Sequence, residues 1–377
     1  MIYLDYQATT PLAREARAAM LPFLDDRFAN PHSPHRPGRA AKAAVEAARV
    51  QVLSTLLAGS GAGEGEGRLL FTSGATEALN WAIKGTWARR TPGRGRIVTV
   101  ATEHAAVLDT IAALGADGAN VVVLPVDGGG RVDLDAAEAA IDGATCLVAA
   151  MLVNNEVGTI GPVEQLGALA RAAGAAMLVD AVQGFGRMAV PLGAADLVAI
   201  SAHKIYGPKG IGALWMRRGH DPAPLMNGGG QEGGVRSGTL SPMLCAGFGA
   251  AAKAAGERME ADAAHVRALY AQLVTSLGEG WQVNGTQEAR YFGNLNLRCD
   301  GLDVGRLMSE LRDVAFSAGS ACASGSGRPS HVLTALGLSD RQARSSIRLG
   351  FGRYTTEAEI DGAATAISAA VARQGLA

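Results

Sequence analysis

From Arg68 to Met216 the chain repeats one pattern, a short unbroken apolar run followed by an alanine-rich stretch of helical character. Apolar runs at 68–72, 96–100, 121–124, 146–153, 176–179, 196–200 and 212–216 predict strands, and 75–84, 104–114, 133–141 and 162–173 predict helices. A strand that is apolar without alternation is covered on both faces, and helices placed between such strands supply the crossovers that parallel pairing needs. The expected fold is α/β, with a mostly parallel, seven-stranded sheet covered by helices. Ligands of such sheets sit beyond the carboxyl ends of the strands. The residues at the end of each apolar run therefore carry the functional information.

The texture changes after Ser241. A long helix is predicted over 241–277, an exposed strand over 294–298 from its alternation, a short strand over 346–349 and a closing helix over 356–372. This pattern suits a smaller α+β C-terminal domain. A boundary inside the long helix divides the chain into a large domain, 15–255, and a small domain of 1–14 and 256–377. With 377 residues, 48% of them hydrophobic, the chain can fill both cores. Its 34 Lys and Arg against 35 Asp and Glu give a net charge of −1 and no basic surplus for nucleic acid or anionic membrane. The N-terminus lacks the basic and apolar stretches of a signal peptide, and no apolar run approaches the ~20 residues that span a bilayer. A cytoplasmic protein is expected. The run 59–67, rich in glycine, precedes a strand and carries two carboxylates, so it reads as a surface loop instead of a phosphate loop.

Three strand ends carry chemistry. In the first, Phe71-Thr72-Ser73-Gly74-Ala75-Thr76-Glu77, a strand runs into a helix whose start, at Ala75 and Thr76, offers N–H groups and a favourable dipole to an anion. Taken alone, the same residues also read as an ordinary helix cap. In the second, an apolar strand delivers Asp180, whose burial needs a cationic partner. In the third, another strand ends in Ser201-Ala202-His203-Lys204, which puts an amine suited to imine chemistry beside an apolar strand end. A phosphate, an imine-forming carbonyl and a basic ring nitrogen are the three features of pyridoxal phosphate, and a lysine with an acidic partner for the pyridinium is its usual protein signature.

Further stretches make the resemblance specific. They are Tyr3-Leu4-Asp5-Tyr6-Gln7-Ala8-Thr9-Thr10-Pro11, Phe28-Ala29-Asn30-Pro31-His32-Ser33, Thr102-Glu103-His104, Asn154-Asn155-Glu156-Val157-Gly158, Asp180-Ala181-Val182-Gln183, the run from Ser201 to Gly210, Arg236-Ser237-Gly238-Thr239 and Gly319-Ser320-Ala321-Cys322. In this order and spacing the chain resembles, over essentially its whole length, the cysteine desulfurases that supply sulfur for iron–sulfur clusters. These are class V aminotransferase-like enzymes of pyridoxal phosphate fold type I. The resemblance implies that Lys204 holds pyridoxal 5'-phosphate and later moves the substrate Cα proton. Asp180 would pair with the ring nitrogen, His104 would stack on the ring and transfer protons, and Gln183 would bond the ring oxygen. Ala75, Thr76, Ser201 and His203 would hold the phosphate, and Thr239 would reach the phosphate of a partner subunit. Asn155, also beside the cofactor, and Arg348 would bind the substrate carboxylate. From its own neighbours, Arg348 reads as a strand-edge surface arginine and His104 as a cap.

Cys322 separates a desulfurase from other enzymes of this fold. Eleven of the 14 residues in 317–330 are Ser, Gly or Ala, a composition that predicts a mobile tether for its thiol. By the resemblance, Cys322 takes the sulfur of L-cysteine as a persulfide while alanine leaves. No resident metal is expected, and an iron–sulfur contact would be transient and through Cys322. Cys146, Cys245 and Cys299 read as packing residues. The loop 227–239, with six glycines, reads from its composition as a flexible loop, and the resemblance implies that it crosses between subunits of a homodimer. The sulfur acceptor, such as an iron–sulfur scaffold protein, is left open, because the chain stops at Ala377 where relatives that dock a scaffold often run on in a longer tail. Two alternatives remain at this point: a selenocysteine lyase or other β-lyase on the same fold, and a catalytically silent sulfur-carrier scaffold.

Overall fold

The structure, a computed structural model, describes residues 1–63, 65–318 and 329–376. The first part of the chain forms β1 (Ile2–Tyr3), α1 (Arg14–Leu24), α2 (Arg36–Leu57), β2 (Gly67–Thr72), α3 (Ala75–Ala88), β3 (Arg96–Val100), α4 (Ala105–Ala116), β4 (Asn120–Leu124), α5 (Leu134–Ala140), β5 (Thr145–Met151), α6 (Val163–Ala173), β6 (Ala176–Asp180), β7 (Leu197–Ser201) and β8 (Gly212–Arg217). The remainder forms α7 (Pro242–Leu277), β9 (Gln282–Val283), β10 (Asn294–Arg298), α8 (Val304–Glu310), β11 (Val314–Ala315), β12 (Ser317–Ala318), α9 (His331–Ala335), α10 (Asp340–Arg344), β13 (Ser346–Gly350) and α11 (Glu357–Ala372).

The seven-stranded sheet has the order β2-β8-β7-β6-β5-β3-β4. Only β8 runs against its neighbours, β2 and β7, and the other pairings are parallel. This is the mostly parallel α/β sheet that the unbroken apolar runs require. Val148, Met177, Val179, Val198 and Ala213 face one buried layer, and Leu147, Ala149, Leu178, Leu197 and Leu214 face another. Burial on both faces is why these strands show no polar alternation.

A second sheet has the order β12-β13-β10-β9 and is antiparallel throughout. Its core includes Leu295, Leu297, Ile347, Leu349 and Phe351, together with Ile360 and Ile367 of α11. Helix α7 serves both cores. Cys245, Phe248 and Ala252 pack with the large sheet, and Val266, Leu269, Leu273 and Leu277 with the small one. Its 36 residues span about 54 Å at helical rise. The N-terminal segment also crosses between cores, since Leu4 belongs to the small one and Tyr6 and Ala13 to the large one.

The exposed strand expected at 294–298 is instead fully covered: Asn294 and Asn296 have no exposed surface. Alternation here marks two different buried faces. Leu295 and Leu297 enter the small core, while the asparagines dock on main chain of the segment that follows β5. Asn296 Nδ2 donates to the Glu156 carbonyl at 3.1 Å, and Asn296 Oδ1 accepts from Asn284 Nδ2 at 2.8 Å. Asn296→Ala leaves that carbonyl and that amide without these partners. The expected cost is roughly 1–3 kcal/mol, read as a lower urea midpoint with an unchanged m-value.

Candidate active site

Register places the carboxyl ends of the parallel strands along one edge. Thr72 of β2 and Ser201 of β7 both lie opposite Gly212, Ala199 opposite Asp180, and Asp180 opposite Met151. The segments that leave these ends, together with residues 7–9 and Arg348, line a single cavity of about 630 Å³. It contains Ala75, Thr76, His104, Asn155, Asp180, Gln183, Ser201, His203, Lys204 and Arg348. The one cavity thus gathers every candidate except Thr239 and Cys322. Thr239 is exposed and does not line it. Cys322 lies outside the described residues.

The start of α3 forms an anion cup. Gly74 is its N-cap residue and supplies no side chain, so the first N–H groups open toward the cavity. Glu77 does not cap the helix in the ordinary way. Its carboxylate accepts from the Ser73 N–H at 2.8 Å and pairs with Arg236 at 2.7 Å. Gly212 has to be glycine here, because a Cβ would lie 2.7 Å from the Gly74 carbonyl carbon and 2.9 Å from the Ala75 nitrogen. Ser201 and His203 stand across the cup. His203 Nδ1 lies 3.2 Å from the Thr9 hydroxyl, and burial with Lys204 nearby lowers its pKa to about 4.

Asp180 ends β6 almost fully buried, and its Oδ1 accepts from the Val182 N–H at 2.9 Å. Burial raises its pKa, opposed by that bond and by His104 and Lys204. A carboxylate so placed gains most from a cation in the cavity. His104 is both cap and cavity residue. Its Nδ1 accepts from the Ala106 N–H at 3.0 Å at the start of α4, which leaves Nε2 to carry the proton of the neutral ring. Burial lowers its pKa, and Asp180 works against that shift. Glu103, which sequence reasoning left without a role, lies beneath. Its Oε1 accepts from the Met151 N–H at 2.6 Å, and its Oε2 is buried with no partner among the described residues. Burial, with Asp180 nearby, raises its pKa well above the usual carboxylate range.

Lys204 follows β7 in a single helical turn. Its Nζ donates to the carbonyls of Gln7 and Ala8 at 2.7 and 2.8 Å. Thr10 fixes the same strap, donating to the His203 carbonyl and accepting from the Tyr206 N–H. Gln183 Nε2 donates to the Gln7 carbonyl at 3.0 Å. Arg348 is buried, not the surface arginine its neighbours suggest: it is 2% exposed. It donates to the Asn155 carbonyl at 3.1 Å, to Asp5 at 2.8 Å and to Ser317 Oγ at 3.2 Å. Sequence reasoning gave Gln7, Ala8 and Asp5 no individual roles, although all three fall in the stretch 3–11 that carries the resemblance.

An amine, a buried carboxylate and an uncapped helix start, converging at the carboxyl edge of an α/β sheet, define a site for an anionic ligand bearing a carbonyl and a cationic centre. The chain belongs to the aminotransferase class-V family, whose model matches residues 2–362. Among curated proteins it is 43% identical over 368 residues to the cysteine desulfurase IscS of Rickettsia bellii, a match covering 96% of this chain and 88% of that one. The cysteine desulfurase IscS of Rickettsia africae is 41% identical with the same coverage. Among solved structures, a NifS-like protein superposes with a TM-score of 0.91 at 32% identity over 99% of both chains. A structure of SspA in complex with cysteine superposes at 0.82 with 33% identity, over 94% of this chain and 100% of that one. The likeness to NifS-like structures extends to the whole fold type I architecture.

His203 makes acid sensitivity testable. The unfolded chain takes up a proton on this ring near the ordinary value of 6.5, whereas the folded cofactor-free protein holds it neutral down to about 4. The folded pKa is depressed, so stability is lost as pH falls through that window. Relative to His203→Gln, the wild type should lose urea resistance progressively from pH 6.5 to 4, with no divergence above pH 7.5.

Proposed function

We propose that this chain is a pyridoxal 5'-phosphate-dependent cysteine desulfurase. It converts L-cysteine to L-alanine and moves the sulfur to Cys322 as a persulfide, for delivery to iron–sulfur cluster assembly or another acceptor. The observation that carries the reading is the convergence of Lys204, Asp180 and the open start of α3 on one cavity. The curated relatives named as cysteine desulfurases support the choice of reaction.

The residues fit the cofactor one group at a time. The N–H groups at Ala75 and Thr76, with Ser201 and His203, suit the phosphate. Asp180, whose burial raises its pKa, suits the protonated ring nitrogen, whose positive charge would offset the desolvation. Lys204 supplies the amine for covalent attachment. When bound, this cofactor draws electron density from the substrate Cα.

The remaining work falls to side chains. Arg348 and Asn155 hold the substrate carboxylate, and Arg348 brings a guanidinium fixed by Asp5 and Ser317. Lys204 carries the Cα proton. His104 presents Nε2 to the substrate thiol and handles its proton, with Nδ1 committed to Ala106. Gln183, which lines the cavity, would hydrogen-bond the ring oxygen. The Cys322 thiolate takes the sulfur: the Cβ–S bond of cysteine breaks, an S–S bond forms, and the three-carbon skeleton leaves as alanine. Thr239, exposed in the single chain, completes the phosphate site of a second copy in a homodimer. We infer a division into 15–255 and 1–14 with 256–377; the two cores support it in outline, although Tyr6 and Ala13 pack with the large one. We assign the protein to the cytoplasm by its relatives' kind; among the described residues no helix is long and apolar enough to cross a membrane.

Protein loaded with pyridoxal phosphate should be yellow, change spectrum on addition of L-cysteine and release alanine. A colourless protein that makes no alanine overturns the reading. Lys204→Ala should lose borohydride-trappable cofactor and lower alanine formation by roughly 10²-fold or more. Cys322→Ser should keep the spectrum and lose sulfur transfer to an acceptor. Persulfide formation at the wild-type rate in that variant removes Cys322 from the reaction.

A further inference from the structure

Arg187 lies in the turn after β6, on the protein side of the cavity, and no role has been assigned to it. Its Nη1 donates to Gln183 Oε1 at 2.6 Å and to the Gln183 carbonyl at 3.2 Å. Its Nη2 donates to the Lys204 carbonyl at 2.7 Å, and its guanidinium carbon sits 5.0 Å from the Tyr291 ring centroid. Among the described residues no carboxylate pairs with it. Its donors are therefore directed at the turn that carries Gln183 and the turn that carries Lys204.

A side-chain amide can face either way, and the two orientations exchange a donor for an acceptor. A guanidinium removes the choice, because it has donors and no acceptor. Gln183 must present Oε1 to Arg187. Its NH2 group then points the opposite way, where one hydrogen meets the Gln7 carbonyl at 3.0 Å. Gln183 lines the cavity, so the second hydrogen is available there. Reversed, the amide would aim its oxygen at whatever occupies that position. For an anionic ring oxygen this would turn an attraction into a repulsion.

We propose that Arg187 is a positioning residue that fixes the Gln183 amide with its NH2 toward the ring oxygen of the bound cofactor. The bond to the Lys204 carbonyl braces the lysine turn with the same group. The inference rests on the pyridoxal phosphate reading of the site.

The test uses full-length protein loaded with pyridoxal phosphate. Its readout is the pH midpoint at which the visible absorbance of the bound cofactor changes form. In Arg187→Met the amide keeps only its bond to the Gln7 carbonyl, so its orientation is held more weakly, the ring oxygen loses a steady donor, and the midpoint should rise by up to roughly one unit, a tenfold change in proton affinity. Gln183→Ala should raise it similarly. In the double variant the two shifts should not add, because Arg187 acts through Gln183. A full additional shift from Arg187→Met in the Gln183→Ala background would mean that the charge acts directly, and would overturn the proposal. So would an unchanged midpoint in Arg187→Met. If the methionine variant fails to fold, Arg187→Lys carries the test. One ammonium cannot keep both bridges, so the midpoint should move the same way by less, and no movement overturns the proposal. A wild type that binds no pyridoxal phosphate defeats the reading of the site itself, an outcome distinct from an unmoved midpoint.

Discussion

The ammonium group of Lys204 is held by two carbonyls from the other end of the chain, those of Gln7 and Ala8. That pair of bonds requires most of the architecture. β7 must end at the right level for Lys204 to face the cavity. The N-terminal strap must cross from the small core at Leu4 to the large core at Tyr6. Thr10 must tie the strap to His203 and Tyr206. A main-chain carbonyl accepts a cation's hydrogen bonds without opposing its charge. These two bonds orient the amine toward the cavity.

The electrostatics of the cavity are set by depth. Three acids lie near its floor or wall, and each is managed differently. Glu103 is the most deeply buried, which pushes its pKa well up. Asp180 keeps one N–H bond and the fields of His104 and Lys204. Asp5 is balanced directly by Arg348. On the other side, His203 is pushed far toward neutrality, which removes a positive charge that would otherwise crowd Lys204. Lys204, Lys209, Asp180 and Arg348 are the charged groups that line the cavity among the described residues.

Much of this was legible in the residues. The unbroken apolar runs specify strands covered on both faces, and the residues just beyond such a strand lie at the sheet's functional edge. Asp180, Lys204 and the Ser73–Thr76 turn stand out for that reason. The strand at 294–298 misled because alternation reports two different faces, without saying whether the polar one meets water or the backbone of another element. Asn294 and Asn296 meet backbone. Arg348 looked like a surface residue because its partner, Asp5, is 343 positions away. The carbonyls of Gln7 and Ala8 could not have been identified from composition, since every residue has one. Glu103 sits beside His104 in sequence, yet nothing in three letters reveals the desolvation that raises its pKa.

Helix α7 and the N-terminal strap are two separate crossings between the same two cores. In mechanical terms the helix is a strut and the strap a tie, and the cavity is the space they brace. The hydrogen bonds from Gln7 to the Gly293 carbonyl and from the Arg353 N–H to the Tyr206 hydroxyl act as further lashings. Both crossings thus meet the same pair of cores, and the two carbonyls that hold Lys204 come from the tie and not from the strut.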